Sequence, residues 1–306
     1  MFDSGKLVSV GDTNLFVSEA GNPEGRGIVL LHGGLQSRLD FIPLAKLLAK
    51  DYKLIAIDTR GHGRSGIGTA TMTYRQLQND FAMVLAALGL QEAGIIGHSD
   101  GGIAALRLAA SDTVQPAFVI AVGAHWILPE NDPARQIYQT ITLEKWREMF
   151  GEQITIYNAE NPEPDFGKLF KAATQMWLGC DDDAYPGVSV KDILCPLLVV
   201  HGDDDILVSR QQAFELARQV KGSRLLNLPF ARHTLLEDIP ELALPFLQDF
   251  MMRVREASRS FLNVSNETTI ACPLVPSNGK FVPFQRTKSS TEDRLSKDNP
   301  CGRVLL

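Results

Sequence analysis

The sequence predicts an α/β fold, with a mostly parallel, doubly wound sheet, helices on both faces, and a helical cap inserted after the sixth strand. Short apolar runs at 54–57 and 95–96 flank the helical pattern of 73–88, an order typical of parallel strands joined by helices. At 306 residues, of which 44% are hydrophobic, the chain can bury a sizeable core as one large domain with an insertion.

The chain divides into three predicted parts. Residues 1–125 and 186–255 are predicted to form the core domain, and residues 126–185 the cap, because this insertion is longer than an ordinary connection in an α/β fold. Within the cap, the apolar residues of 166–177 follow a helical spacing. Residues 256–306 are rich in serine, threonine, asparagine, proline and charge, which predicts a disordered tail or, as the alternative, a partner-binding segment.

Composition excludes several functions. The net charge of −6 and the lack of a basic stripe argue against a nucleic-acid partner. We expect no membrane partner, since no apolar stretch is long enough to span a bilayer. The first six residues lack the apolar core of a signal peptide, and the 4 cysteines show no metal-binding spacing. We therefore expect a cytoplasmic protein with a small-molecule substrate and no metal or cofactor, and the oligomeric state is left open.

The pentapeptide 97–101 carries the clearest chemical signal. It has the form G-x-S-x-G, in which small residues let a strand turn sharply into a helix and leave the serine hydroxyl exposed. The preceding residues 94–98 have the pattern of a buried strand, and 102–110 contain good helix formers without proline. Ser99 is therefore the candidate nucleophile, the alternative being a serine in a glycine-rich turn without chemistry.

A serine hydroxyl needs a base and an anion that orients the base. The apolar strand 196–200 leads into the acidic residues 203–205, at the strand end where α/β sheets place their sites. The next strand, 223–228, leads to His233. Nucleophile, acid and histidine therefore follow one another in the order expected for this architecture.

From about residue 7 to residue 255 the sequence resembles the α/β-hydrolase family. Segment 31–34, Leu-His-Gly-Gly, resembles the family's oxyanion loop after its third strand. Segment 58–65 resembles the D-x-R-G-x-G-x-S turn after its fourth strand. With the serine pentapeptide, the acidic loop and His233, these motifs occur in family order, which is far more specific than any one motif.

The resemblance implies a role for each of these residues. Ser99 would be the nucleophile, and His233 the general base and then the general acid. The family acid usually lies three residues after the glycine that ends its strand, which points to Asp205. Asp203 is its main rival, because both carboxylates lie within one short loop.

Two backbone N–H groups, those of Gly34 and Asp100, would form the oxyanion hole. We expect the Asp100 carboxylate to point away from the nucleophile and to serve a structural role at the helix N-terminus. His125 follows an apolar stretch and is a candidate pocket residue, with a structural histidine as the alternative.

The expected function is a serine hydrolase that cleaves a small to medium carboxylic ester through an acyl-enzyme on Ser99. The same triad would also suit a C–C bond hydrolase, a lactonase or a cofactor-free haloperoxidase-like enzyme. A ligand-binding receptor or scaffold on the hydrolase fold is the alternative of another class.

Overall fold

A single sheet organises the molecule, for which the computed structural model describes residues 1–90 and 92–267. The sheet has eight strands in the order β1-β2-β4-β3-β5-β6-β7-β8. Strand β2 pairs antiparallel with β1 and β4, and the other neighbours are parallel, as the sequence predicts. The strands are β1 (Lys6–Ser9), β2 (Asn14–Gly21), β3 (Arg26–Leu31), β4 (Tyr52–Ile57), β5 (Gly94–His98), β6 (Val119–Val122), β7 (Leu197–Gly202) and β8 (Arg224–Leu228).

Helices cover both faces of this sheet. Strand β3 shows the reason, since Val29 and Leu31 point into one apolar core while Ile28 and Leu30 point into the other. Successive strand residues face opposite sides, so a strand covered on both faces must be apolar throughout. The helices are α1 (Ile42–Leu48), α2 (Tyr74–Leu88), α3 (Asp100–Ala109), α4 (Pro133–Thr140), α5 (Leu143–Met149), α6 (Gly151–Glu160), α7 (Phe166–Trp177), α8 (Arg210–Gln219), α9 (Leu235–Asp238) and α10 (Pro240–Glu267).

The last helix extends past the predicted end of the core. Helix α10 continues to Glu267, so residues 256–267 of the predicted disordered tail are helical in the structure. A change in composition does not itself end a helix, and no proline follows until Pro273. The rest of the predicted tail, residues 268–306, lies outside the described residues. Among the described helices, none is both long and apolar enough to cross a membrane.

Helices α4–α7 all lie within the predicted cap, and buried charges join them to the core. The side chain of Arg38 is fully buried and donates hydrogen bonds to Asp58 on the core (2.8 Å) and to Glu160 at the end of α6 (2.9 Å). The next residue, Asn161, donates from its side-chain amide to the carbonyl oxygens of Gly61, Gly63 and Ser65. The end of α6 is thus fixed to the turn that follows β4.

Loss of the Arg38 charge should be costly to folding. In Arg38→Met, the Asp58 carboxylate, whose side chain is 0% exposed, would lose its buried cationic partner. We expect the free energy of unfolding to fall by about 3–5 kcal/mol in urea denaturation. Arg253→Met is the control, since its pair with Asp249 is largely exposed to solvent and should contribute little to stability. Equal losses in the two variants would contradict this account of Arg38.

Candidate active site

Ser99 occupies a strained turn between β5 and α3. Its backbone has φ 50° and ψ −117°, which is unfavourable for a residue with a side chain. A β-carbon at Gly97 would overlap the carbonyl of Gly101, and one at Gly101 would overlap the carbonyl of Leu31. Only glycine fits at either position, which explains the G-x-S-x-G pattern. The turn leaves Ser99 partly exposed at the carboxyl end of the central strand.

Asp205 and His233 form a partly buried pair at the same sheet edge. Nδ1 of His233 donates to Oδ2 of Asp205 at 2.7 Å, and the aspartate side chain is 0% exposed. Its other oxygen, Oδ1, accepts the backbone N–H groups of Leu207 (2.8 Å) and Val208 (3.0 Å). Burial alone would raise the pKa of Asp205, but His233 and the N–H groups of Val208 and Leu207 together outweigh it, and the pKa lies below its usual value. The carboxylate is therefore held ionised and oriented.

The rival carboxylate points elsewhere. Asp203 forms an ion pair with Arg210 and accepts a hydrogen bond from Asn227 (3.0 Å). These contacts lower the pKa of Asp203, the Asn227 hydrogen bond most. The structure therefore brings Asp205, and not Asp203, against His233.

Three contacts place Ser99 beside this pair. The Ser99 N–H donates to the carbonyl oxygen of Val122 (2.8 Å), and a β-carbon on the next residue, Gly123, would lie 3.1 Å from the His233 ring. Nε2 of His98 lies 2.9 Å from the carbonyl oxygen of His233, and the two rings are 4.9 Å apart. Within the described chain, no hydrogen bond joins the Ser99 hydroxyl to His233. Such bonds often tighten only when substrate binds.

The two N–H groups predicted to form an oxyanion hole are available. Neither Gly34 nor Asp100 donates its backbone N–H to another protein group in the part of the chain that the structure describes. The neighbouring N–H groups are occupied, since Gly33 donates to Gln36 (3.1 Å) and Gly101 to His32 (3.1 Å). A β-carbon at Gly34 would overlap the Asp100 carboxylate, so the two residues are adjacent. Asp100 also begins α3, whose dipole favours negative charge at this end.

The Asp100 side chain links the core to the cap. Its buried carboxylate accepts hydrogen bonds from the Tyr74 hydroxyl (2.7 Å) and from Nε1 of Trp177 (2.8 Å) in α7. Burial raises its pKa, although both hydrogen bonds act in the opposite direction. The predicted structural role at the helix N-terminus thus takes a different form, because the partners are side chains of α2 and the cap. Sequence patterns could not locate these partners.

His125 lies beside the cap. Its ring meets that of Tyr185 edge to face at 6.0 Å, and Nε2 is buried without a partner among the described residues. Burial lowers the pKa of His125 to about 4, so the ring is neutral at pH 7. Contact with substrate stays a prediction.

Two residues near the site were missed by the motif analysis. Gln36 lies in the loop after β3 and donates to Glu237 in α9 at 2.5 Å, although 201 positions separate them. Burial first, and then the charge of Asp40, raise the pKa of Glu237 to about 8. A lone glutamine in a loop carries no motif, so no sequence pattern indicated this contact.

The raised pKa of Glu237 predicts a pH-dependent stability. Between 4.5, its ordinary pKa, and about 8, the folded state retains a proton that the unfolded state has lost. The free energy of unfolding should therefore fall as pH rises through this window. In Glu237→Gln the side chain at position 237 cannot titrate. We therefore expect the free energy of unfolding, measured by urea denaturation at the two ends of this pH window, to change less with pH than in wild type. An unchanged pH dependence of the free energy of unfolding would contradict the retention of this proton by Glu237 in the folded state.

An elbow serine on a doubly wound sheet, with an Asp–His pair at the same edge, is the arrangement of an α/β hydrolase. A model of the alpha/beta hydrolase family matches residues 28–243. The chain belongs to this family and is a hydrolase, which confirms the resemblance seen in the sequence.

Individual relatives are similar over most of the chain. Serine hydrolase BPHL of Mus musculus is 32% identical over 249 residues, which cover 74% of this chain and 79% of that protein. A non-heme haloperoxidase of Rhodococcus erythropolis is 28% identical over 247 residues, covering 72% and 89%. The crystal structure of an enol-lactonase from Burkholderia xenovorans LB400 shares the fold at a TM-score of 0.64, with 21% identity and coverage of 81% of this chain and 100% of that chain.

In the described part of the chain, no three His, Cys, Asp or Glu side chains are grouped to hold a metal ion.

Proposed function

We propose that the protein is a serine hydrolase that cleaves a small to medium carboxylic ester through an acyl-enzyme on Ser99. The observation that carries this proposal is the partly buried Asp205–His233 pair, with its 2.7 Å hydrogen bond, beside a serine in a strained elbow. A nucleophile, a base and an orienting anion are the groups that acyl transfer requires.

The proposed reaction has two halves. Ser99 Oγ attacks the ester carbonyl while Nε2 of His233 takes its proton, and the tetrahedral oxyanion binds the N–H groups of Gly34 and Asp100. The C–O bond of the ester then breaks, and His233 returns the proton to the leaving alcohol. Water, deprotonated by His233, next attacks the acyl-enzyme. The bond between the acyl carbon and Ser99 Oγ then breaks, His233 returns the proton to Ser99 Oγ, and the acid is released. Asp205 stabilises the imidazolium in both halves.

Aromatic cap residues support an apolar acyl site. In α7, the Trp177 ring packs against Gly34 and lies 5.1 Å from Tyr138 and 6.2 Å from Trp146. We propose that residues 126–185 form a cap over Ser99. The aromatic rings of this cap would exclude water and hold the acyl group.

The buried Asp100 carboxylate limits the charge of that acyl group. Both of its hydrogen-bond partners, Tyr74 and Trp177, are neutral, so its negative charge would repel an anionic substituent close by. We therefore propose an uncharged acyl group in preference to an anionic one.

We also propose that the protein is cytoplasmic, as the sequence predicts.

Ester hydrolysis tests this function directly. p-Nitrophenyl esters from acetate to laurate, with anionic and cationic acyl analogues of similar size, are assayed for release of nitrophenol. We expect saturable multiple turnover with an optimum among the short or medium neutral esters. An enol lactone and a β-diketone are assayed in parallel, because the same triad could act on either. Turnover of one of these but of no ester, or a single turnover with a persistent adduct, would contradict the proposed esterase.

A further inference from the structure

One side-chain amide lies among the backbone groups of the candidate site. Oε1 of Gln36 accepts the N–H of Gly33 (3.1 Å) and lies 3.0 Å from Nδ1 of His98. Its Nε2 donates to the Glu237 carboxyl group. Gln36 thus contacts the oxyanion loop, the residue before Ser99, and the helix that follows His233.

The second nitrogen of His98 extends this chain of contacts. Nε2 lies 2.9 Å from the carbonyl oxygen of His233, so His98 lies between the Gln36 amide and the backbone of the candidate base. Burial lowers the pKa of His98 to about 3, which keeps the ring neutral, so only one of its two nitrogens carries a proton and only one of these two contacts is a hydrogen bond. The ring is 5% exposed and does not need to meet substrate to influence the site.

The orientation of the amide follows from its fixed neighbour. A backbone N–H can only donate, so the Gln36 atom facing Gly33 is the oxygen, and the nitrogen faces Glu237. Reversal of the amide would set two donors against each other at Gly33. The arrangement therefore requires a glutamine oxygen on the side of the oxyanion loop and a donor on the side of α9.

We propose that Gln36 is a positioning residue for the reaction proposed above. Its amide fixes the oxyanion loop through Gly33 and ties it to α9 through Glu237, and it packs against His98, whose ring lies against the backbone of His233. Misplacement of catalytic groups by about 1 Å can lower the rate roughly 100-fold. Loss of the Gln36 amide contacts should therefore lower kcat and leave KM nearly unchanged. The inference rests on the proposed serine-hydrolase function.

An exchange of the two polar groups tests this role. Gln36→Leu removes every contact of the amide. In assays at about pH 9, above the pKa of Glu237, Gln36→Glu sets a second carboxylate against that of Glu237. Gln36→Glu/Glu237→Gln restores a carboxylate–amide pair with the order reversed, and the carboxylate introduced at position 36 can again accept the N–H of Gly33. Gln76→Leu is the matched control, because Gln76 is also half-buried and also donates to a carboxylate, that of Asp80 (2.8 Å).

For each variant, kcat, KM, the melting temperature and the rate of Ser99 labelling by a fluorophosphonate are measured. We expect kcat to fall about 10- to 100-fold in Gln36→Leu and Gln36→Glu, with KM within about threefold of wild type. The double variant should recover most of this loss, and Gln76→Leu should show none. The labelling rate should change in parallel with kcat.

Two results would overturn the inference alone. One is a wild-type kcat and labelling rate in Gln36→Leu, and the other is a double variant no better than Gln36→Glu. If Gln36→Leu fails to fold, the comparison of Gln36→Glu with the double variant decides. A wild-type protein that neither turns over an ester nor is labelled would instead overturn the proposed function, and this inference with it.

Discussion

Ser99→Ala is expected to reduce ester turnover to the background rate. Removal of a serine nucleophile typically costs roughly 10⁵- to 10⁶-fold in kcat, because the remaining groups cannot form the acyl-enzyme. His233→Ala should lose about as much, and the double variant little more, since the two side chains act as one unit. The measurement is kcat on the best p-nitrophenyl ester, with melting temperatures to confirm that each variant is folded.

Ser111→Ala serves as the matched control for this prediction. Ser111 is a half-buried serine two residues after the end of α3, and its hydroxyl contacts Leu108 and Thr113. Its variant should keep the wild-type kcat. Retention of full activity by Ser99→Ala would show that another group is the nucleophile.

Asp205→Asn should cause the next largest loss, about 10³- to 10⁴-fold in kcat. The asparagine oxygen can still accept the N–H groups of Leu207 and Val208, which leaves the amide nitrogen facing Nδ1 of His233. That nitrogen donates, so His233 would carry its proton on Nε2 and could not accept the proton of Ser99.

Asp203→Asn provides the matched comparison within the same loop. Its side chain pairs with Arg210 rather than with His233, and we expect its kcat to stay within about threefold of wild type. A loss in Asp203→Asn equal to or greater than that in Asp205→Asn would contradict the pairing seen in the structure.

The strand–elbow–helix unit could be predicted because its constraints are local. The predicted strand 94–98 is β5 as observed. The backbone approaches so closely at Gly97 and Gly101 that only glycine fits, and this requirement appears as a motif of five adjacent residues. The helix begins at Asp100, two residues earlier than its apolar pattern indicates. Spacing alone could not decide between Asp203 and Asp205, because the direction of each side chain depends on how the loop folds against β8.

Contacts between distant segments left no sequence signal. Arg38 and Glu160 are 122 positions apart, and their ion pair depends on where the cap meets the core. The partners of Asp100, Tyr74 and Trp177, likewise come from separate helices. Periodicity identifies the buried face of a helix but not the polar group that this face will contact. The hydrogen bonds between cap and core, and those of Gln36, are therefore seen only in the structure.

Active-site labelling tests the central assignment most directly. Wild-type protein, Ser99→Ala, Asp205→Asn and Asp203→Asn are treated with a fluorophosphonate, and the modified peptide is identified by mass spectrometry. We expect one adduct per chain on Ser99 in wild type and at a similar rate in Asp203→Asn, much slower labelling in Asp205→Asn, and none in Ser99→Ala. An adduct on another residue, or none in a wild-type protein that hydrolyses esters, would contradict Ser99 as the nucleophile.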